Sequence, residues 1–156
     1  MEKLEIERKF LVKNLPAYLN GCDKTEIEQA YVSVRPVIRI RRMDDRFFLT
    51  VKGEGFLSRQ EFEMEIGPDE YVNLSGKIDA DTIPIAKTRY YFPIGQYTGE
   101  LDIYYGRLGG LMTVEVEFGN IDDAKAFIPP EWFGREVTGE AGYANSSLST
   151  HGLPES

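Results

Sequence analysis

Leu4-Glu5-Ile6-Glu7-Arg8-Lys9-Phe10-Leu11 decides how the rest of the chain is read. Glu5, Glu7 and Lys9 alternate with Leu4, Ile6 and Phe10. A strand sends successive side chains to opposite faces, so this stretch has one charged and one apolar face. A helix would instead repeat roughly every 3.6 residues.

Working outward, the same alternation recurs along the chain. Residues 28–34 set Tyr31 and Ser33 against Ala30, Val32 and Val34, and residues 37–42 set Arg39 and Arg41 against Ile38 and Ile40. Residues 46–52 set Arg46, Thr50 and Lys52 against Phe47, Leu49 and Val51. Residues 59–66 carry Arg59, Glu61, Glu63 and Glu65 opposite Phe62, Met64 and Ile66. Lys87 and Arg89 (85–92), Glu100 and Asp102 (100–105), and Glu115 and Glu117 (113–118) complete a set of eight. Turns are expected at Asp44-Asp45, Gly53-Glu54-Gly55, Gly95 and Gly109-Gly110. Short helices are expected over 68–78, over 122–127 before Pro129-Pro130, and near Tyr143–Leu148; the rest of the tail from Glu131 reads as loop. With no repeat, low-complexity tract or linker, residues 1–156 read as a single domain.

The charged faces are unusual in composition. Solvent-facing strand positions ordinarily favour Thr and other uncharged polar residues. Here they carry Lys, Arg, Asp and Glu sorted by strand: cations near 39–41, 52 and 87–89, acids near 61–65, 100–102 and 115–117. Two like charges about 4 Å apart cost about 4 kcal/mol at an effective dielectric near 20. Cross-strand ion pairs recover only about 0.2–1 kcal/mol each. Closing eight antiparallel strands into a barrel would bring all these faces around one lumen, with the apolar faces outward under the short helices. The expected fold is therefore mainly β (α+β): an eight-stranded antiparallel closed β-barrel, a tunnel, with a few short helices packed outside. Cations in such a lumen suit phosphate oxygens, and carboxylates suit Mg²⁺ or Mn²⁺, which points to metal-assisted phosphoryl or nucleotidyl transfer.

Composition limits the other possibilities. Eighteen Lys and Arg against 26 Asp and Glu give a net charge of −8 in 156 residues, which excludes a broad nucleic-acid surface and disfavours anionic membranes. No apolar run approaches the roughly 20 residues of a spanning helix, and the charged N-terminus is unlike a signal peptide. The lone cysteine, Cys22, suits a reducing cytoplasm. The lone histidine, His151, reads as a surface or disordered tail position, so His-based zinc sites and triads are not expected.

The residues resemble the CYTH superfamily, the triphosphate tunnel metalloenzymes. Glu5-Ile6-Glu7-Arg8-Lys9-Phe10 is similar to that family's Glu-x-Glu-x-Lys signature. Collinear with it stand Gln29-Ala30-Tyr31, Arg39-Ile40-Arg41, Thr50-Val51-Lys52, Ser58-Arg59, Glu61-Phe62-Glu63 and Lys87-Thr88-Arg89-Tyr90. Glu100-Leu101-Asp102-Ile103, Val114 to Phe118, Glu136 to Gly139 and Tyr143 to Ser146 follow, so the resemblance spans nearly the whole chain.

The resemblance implies a tunnel that binds a triphosphate with one or two Mg²⁺ or Mn²⁺ ions. It assigns metal binding to Glu5, Glu7 and Glu117, with Glu63, Asp102 and Glu115 serving a second ion or its waters. Lys9, Arg39, Arg41, Lys52, Arg59, Lys87 and Arg89 would hold phosphates; Lys9, Glu7 and the tunnel tyrosine Tyr31 would take part in catalysis. Glu61, Glu65 and Glu100 read as neutralising partners for tunnel cations, Arg8 and Arg46 as solvated or rim charges, and Arg59 has a competing reading as a partner of Glu61 or Glu65. The segment Tyr143 to Leu148 resembles the part that closes one tunnel end. Compact members of this kind resemble inorganic triphosphatases, so hydrolysis of tripolyphosphate is the expected activity. A thiamine triphosphatase, a class IV-type adenylyl cyclase and a polyphosphate-binding module are the alternatives. The oligomeric state is left open between monomer and homodimer.

Overall fold

Each alternating stretch forms a strand. The computed structural model describes residues 2–54 and 58–154, so Gly55 of the expected Gly53-Glu54-Gly55 turn lies outside the described residues. The elements are β1 (Glu2–Val12), β2 (Asp23–Val34), β3 (Val37–Met43), β4 (Arg46–Lys52), β5 (Ser58–Ile66), α1 (Pro68–Ser75), β6 (Ile85–Ile94), β7 (Tyr97–Tyr104), β8 (Met112–Glu117), α2 (Ile121–Ala126), β9 (Phe133–Glu136) and α3 (Asn145–His151).

Eight strands pair antiparallel in the ring β1-β5-β4-β3-β2-β6-β7-β8, and β8 returns to β1. This is the closed barrel that alternation led us to expect. Closure rests on the length of β1. Its first half pairs with β5, from Glu2↔Phe62 to Ile6↔Ser58, and its second half pairs with β8, from Glu7↔Glu117 to Leu11↔Thr113. Where β5 departs, the vacated edge of β1 is taken by β9, with Phe10↔Glu136 and Val12↔Phe133 in register. β9 corrects the reading of that part of the tail as loop. β2 also begins earlier than its apolar alternation shows, because Asp23 to Thr25 pair with Tyr91 to Arg89 of β6.

The apolar faces point outward and are covered unevenly. Ile6, Phe10, Leu101, Val114 and Val116 form a core outside the barrel wall with Leu19, Phe92, Phe118, Ala124 and Phe133. α2 closes over this side, its start fixed by Asn120, whose Oδ1 accepts the Asp123 N–H at 2.7 Å. Arg8, read from sequence as a solvated or rim charge, is structural. It donates to the Ala124 and Phe127 carbonyls at 2.8 and 2.9 Å and pairs with Glu136, tying β1 to α2 and β9. On the opposite side α1 packs Tyr71 on Phe47 of β4, with ring centres 4.9 Å apart. Pro68 opens that helix and the Glu70 carboxylate accepts the Gly67 N–H at 2.8 Å. Gly76 follows its last residue, three residues short of the expected end.

One glycine is dictated by packing. A Cβ on Gly99 of β7 would sit 2.3 Å from Cζ of Phe92 on β6, and Phe92 is buried in the outer core. Overpacking of this kind costs about 1–3 kcal/mol. Gly99→Ala should therefore lower the unfolding free energy by that amount, seen as a lower urea midpoint at an unchanged m-value, while Gly119→Ala, whose Cβ would meet no atom within 4 Å, should leave the midpoint nearly unmoved.

Candidate active site

The ring order places strands of opposite charge across the lumen. The run β7-β8-β1 carries Glu100, Glu115, Glu117, Glu5 and Glu7; facing it, β4-β3-β2 carries Lys52, Arg39, Arg41 and Tyr31. β5 and β6, between the two walls, bring Arg59, Glu61, Glu63 and Arg89. These side chains line one cavity of about 1500 Å³, together with Lys9 and residues of the 137–151 segment.

On the basic side the cations crowd one another. Arg39 and Arg41 are 4% and 8% exposed. Burial, then the charges of Arg39 and Arg89, pull Arg41 down to about 10, and burial with Arg39 also lowers Lys52. Partial relief comes from Glu63, whose Oε1 accepts Arg41 Nη2 at 3.2 Å and Thr50 Oγ1 at 2.9 Å. Tyr31 is buried beside Arg39, and burial raises its phenol, so it stands in the site as a protonated donor.

On the acidic side carboxylates crowd in the same way. In register, Glu7 faces Glu117 and Glu100 faces Glu115. Burial, then Glu115 and Glu5, push Glu7 well above the ordinary carboxylate range, and a hydrogen bond joins Glu7 to Glu115. Against the effect of burial, Lys9 and that hydrogen bond hold Glu115 down to about 2. The neutral form is thus favoured at Glu7 and the charged form at Glu115. The donor set is all oxygen, which suits a hard divalent ion. Among the described residues, no three acids already stand together in an arrangement that would hold an ion. Glu5 turns instead to Lys52 Nζ and Arg59 Nε, each 3.2 Å away.

Lys9 extends toward the tail. Its ammonium donates to the Tyr143 carbonyl at 2.6 Å, and Val137 N–H returns to the Lys9 carbonyl at 2.8 Å. α3 is held at the barrel end by Tyr104 Oη on Asn145 Oδ1 at 2.9 Å and by Ile83 N–H on the Ser149 carbonyl at 2.9 Å. His151 ends α3 as an exposed residue on the rim of the cavity, in keeping with the surface alternative of its sequence reading.

The structure brings Glu5, Glu7, Lys9, Tyr31, Arg39, Arg41, Lys52, Arg59, Glu63, Arg89, Glu115 and Glu117 onto this one cavity. Arg59 pairs with Glu5 there rather than with Glu65, whose partner is Arg46. Lys87 and Asp102 face inward but lie behind the lining, their side chains 0% and 2% exposed, joined to each other at 2.8 Å. Sequence reasoning missed the contribution of Thr50, a small neutral residue among charged ones, which bridges Arg39 and Glu63.

Comparison with known proteins agrees with the geometry. The sequence pattern of the CYTH domain matches residues 3–147. An inorganic triphosphatase of Nitrosomonas europaea is 41% identical over 150 residues, covering 93% of this chain and 96% of that protein. An inorganic triphosphatase of Acetivibrio thermocellus is 35% identical over 147 residues, covering 92% of each. The crystal structure of an inorganic triphosphatase superposes with a TM-score of 0.70 at 34% identity, covering 96% of this chain and 97% of that one. Among the described residues no helix is long and apolar enough to cross a membrane.

The raised carboxyl of Glu7 gives a pH signature with a definite sign. Glu7 binds its proton more tightly folded than unfolded, so the metal-free protein loses stability as pH rises from the usual 4.5 through the raised value. Gln keeps the neutral shape without the ionisation. In EDTA, Glu7→Gln should match the parent melting temperature near the usual carboxylate range and exceed it by a margin that grows as pH rises above that range, read by differential scanning calorimetry.

Proposed function

The chain belongs to the CYTH family, and on that premise we propose that it hydrolyses a small triphosphate, inorganic tripolyphosphate first, to diphosphate and orthophosphate. One observation carries this reading: two facing walls of opposite charge, each repelling within itself. A triphosphate would be drawn to the basic wall and a divalent cation to the acidic one, so a metal–triphosphate complex matches both. The inorganic triphosphatases that match over more than nine-tenths of the chain support the same substrate class.

A divalent ion is the general requirement of CYTH triphosphatases, and Mg²⁺ or Mn²⁺, one or two ions, is the proposed cofactor. Glu5, Glu7, Glu115 and Glu117 would hold it, with Glu63 in reach of a second. When bound, such an ion would polarise phosphate oxygens and activate a water. The chain's own side chains do the rest. Arg39, Arg41, Lys52, Arg59 and Arg89 grip the phosphate oxygens and set the chain of phosphorus atoms in line. They stand in a recessed lumen where screening by bulk salt is weak. Lys9 Nζ, anchored at the Tyr143 carbonyl, is placed to neutralise charge developing on the departing oxygen. Tyr31, kept as a phenol, orients a phosphate oxygen beside Arg39. A reducing, cytoplasmic location accords with the free thiol of Cys22.

The test is a product assay with tripolyphosphate, thiamine triphosphate and ATP in Mg²⁺ or Mn²⁺. Orthophosphate and diphosphate from tripolyphosphate, abolished by EDTA, is the expected result. Cyclic AMP with diphosphate from ATP would select the cyclase, and tight binding without turnover would select a binding module. Glu7→Gln and Lys9→Ala should each lose at least about tenfold in rate; full activity in both would overturn the site assignment.

A further inference from the structure

Asp102 is an acid on a lumen face that makes no contact with the lumen. It is 1% exposed and absent from the cavity lining. Both oxygens of its carboxylate are engaged by buried cations. Oδ1 accepts Arg89 Nε at 2.8 Å, Oδ2 accepts Arg89 Nη2 at 2.9 Å, and Oδ2 also lies 2.8 Å from Lys87 Nζ. A carboxylate has about four acceptor sites, and three of them meet charged donors here. A metal bound by Asp102 would have to displace a guanidinium fork or an ammonium and strand that cation unpaired in the barrel wall.

The same contacts define what Asp102 does to Arg89. A fork of two parallel hydrogen bonds fixes both the position and the plane of a guanidinium, which a single ion pair does not. With Nε and Nη2 committed to Asp102, Arg89 presents Nη1 on the other side, where it lies 3.3 Å from Glu100 Oε1. Arg89 itself lines the cavity. Lys87 closes the arrangement from below. Its ammonium stands 5.2 Å from the centre of the Tyr104 ring, and Tyr104 in turn bonds Asn145 of α3.

We propose that Asp102 is a positioning residue that acts through Arg89, aiming Nη1 at a substrate phosphate, and that it does not ligate the metal. The acids left to hold the ion are then those of β1 and β8, with Glu63. This inference rests on the triphosphatase reading for its substrate, but its metal half can be judged without any turnover.

The experiment is Asp102→Asn, which keeps the shape and one acceptor but removes the charge. Because Lys87 would be stranded, the same measurements are made on the double substitution D102N/K87M, which removes the cation along with its partner. Mn²⁺ binding to substrate-free protein is followed by electron paramagnetic resonance, with Glu7→Gln as the metal-site control. Kinetics with tripolyphosphate are measured for Asp102→Asn, Arg89→Lys and the two combined.

If Asp102 serves Arg89, Mn²⁺ affinity stays within about twofold of the parent, while Glu7→Gln loses about tenfold or more. KM for tripolyphosphate rises about tenfold in Asp102→Asn, and the combined variant is no worse than the weaker single one, because both substitutions break one interaction. A tenfold fall in Mn²⁺ affinity in Asp102→Asn and D102N/K87M, or KM effects that multiply in the combined variant, would overturn the proposal. Failure of the parent protein to turn over tripolyphosphate would instead strike at the proposed substrate, leaving the Mn²⁺ measurement to judge Asp102.

Discussion

Everything in this molecule depends on the backbone pairing of β1. Its first five residues bond to β5, its next five to β8, and the edge it leaves free beyond β5 is taken by β9. Without that double engagement the eight strands would form an open sheet with two edges, and the charged faces would look into solvent. Closure turns a property of single strands into a property of an enclosed space. Side chains far apart in sequence, such as Glu7 and Glu115, or Lys52 and Glu5, become neighbours because one long strand joins the two ends of the sheet.

The order of strands then sorts the charges. Had acidic and basic strands alternated around the ring, each would have neutralised its neighbour across the ladder, and the interior would be a set of ion pairs. Some pairs of that kind exist, in Arg59–Glu5 and Lys52–Glu61. The larger pattern is segregation, with acids on β7, β8 and β1 facing cations on β4 and β3. The net charge of −8 conceals this, since it sums over both walls and over the outer surface. A protein that is anionic overall can therefore hold a polyanion, provided the cations are gathered where bulk ions do not reach them.

Much of the fold, and which charged residues share the lumen, could be read from alternation, because period two states which residues share a face; the roles proposed for them came from the resemblance to the CYTH family. Glu5, Glu7, Arg39, Arg41, Lys52 and Glu115 needed nothing more once closure was supposed. Height along the barrel is another matter. Lys87 and Asp102 have the same parity as Arg89 and Glu100, yet they lie behind the cavity while those two reach it. Depth follows from the shear between strands and from which side chains fill the space below, and neither is written in a local pattern. β9 was hidden for a related reason. Phe133–Glu136 has no alternating face of its own and is a strand only because β1 offers an edge. Arg8 looked like a surface charge because its acceptors, the carbonyls of Ala124 and Phe127, are backbone atoms more than a hundred positions away.

The contact between the Lys9 ammonium and the Tyr143 carbonyl has a consequence for how the protein comes into being. The first strand supplies the lysine and one of the last turns of the chain supplies its anchor. During synthesis the N-terminal strand emerges early, but its edges stay unpaired until β5, β8 and β9 have followed. The lysine is anchored only after the segment to Tyr143 has left the ribosome. A nascent chain thus carries the full set of basic side chains for some time without the geometry to use them. The proposed site is therefore completed late, when the segment that carries Tyr143 closes on a strand made more than a hundred residues before it.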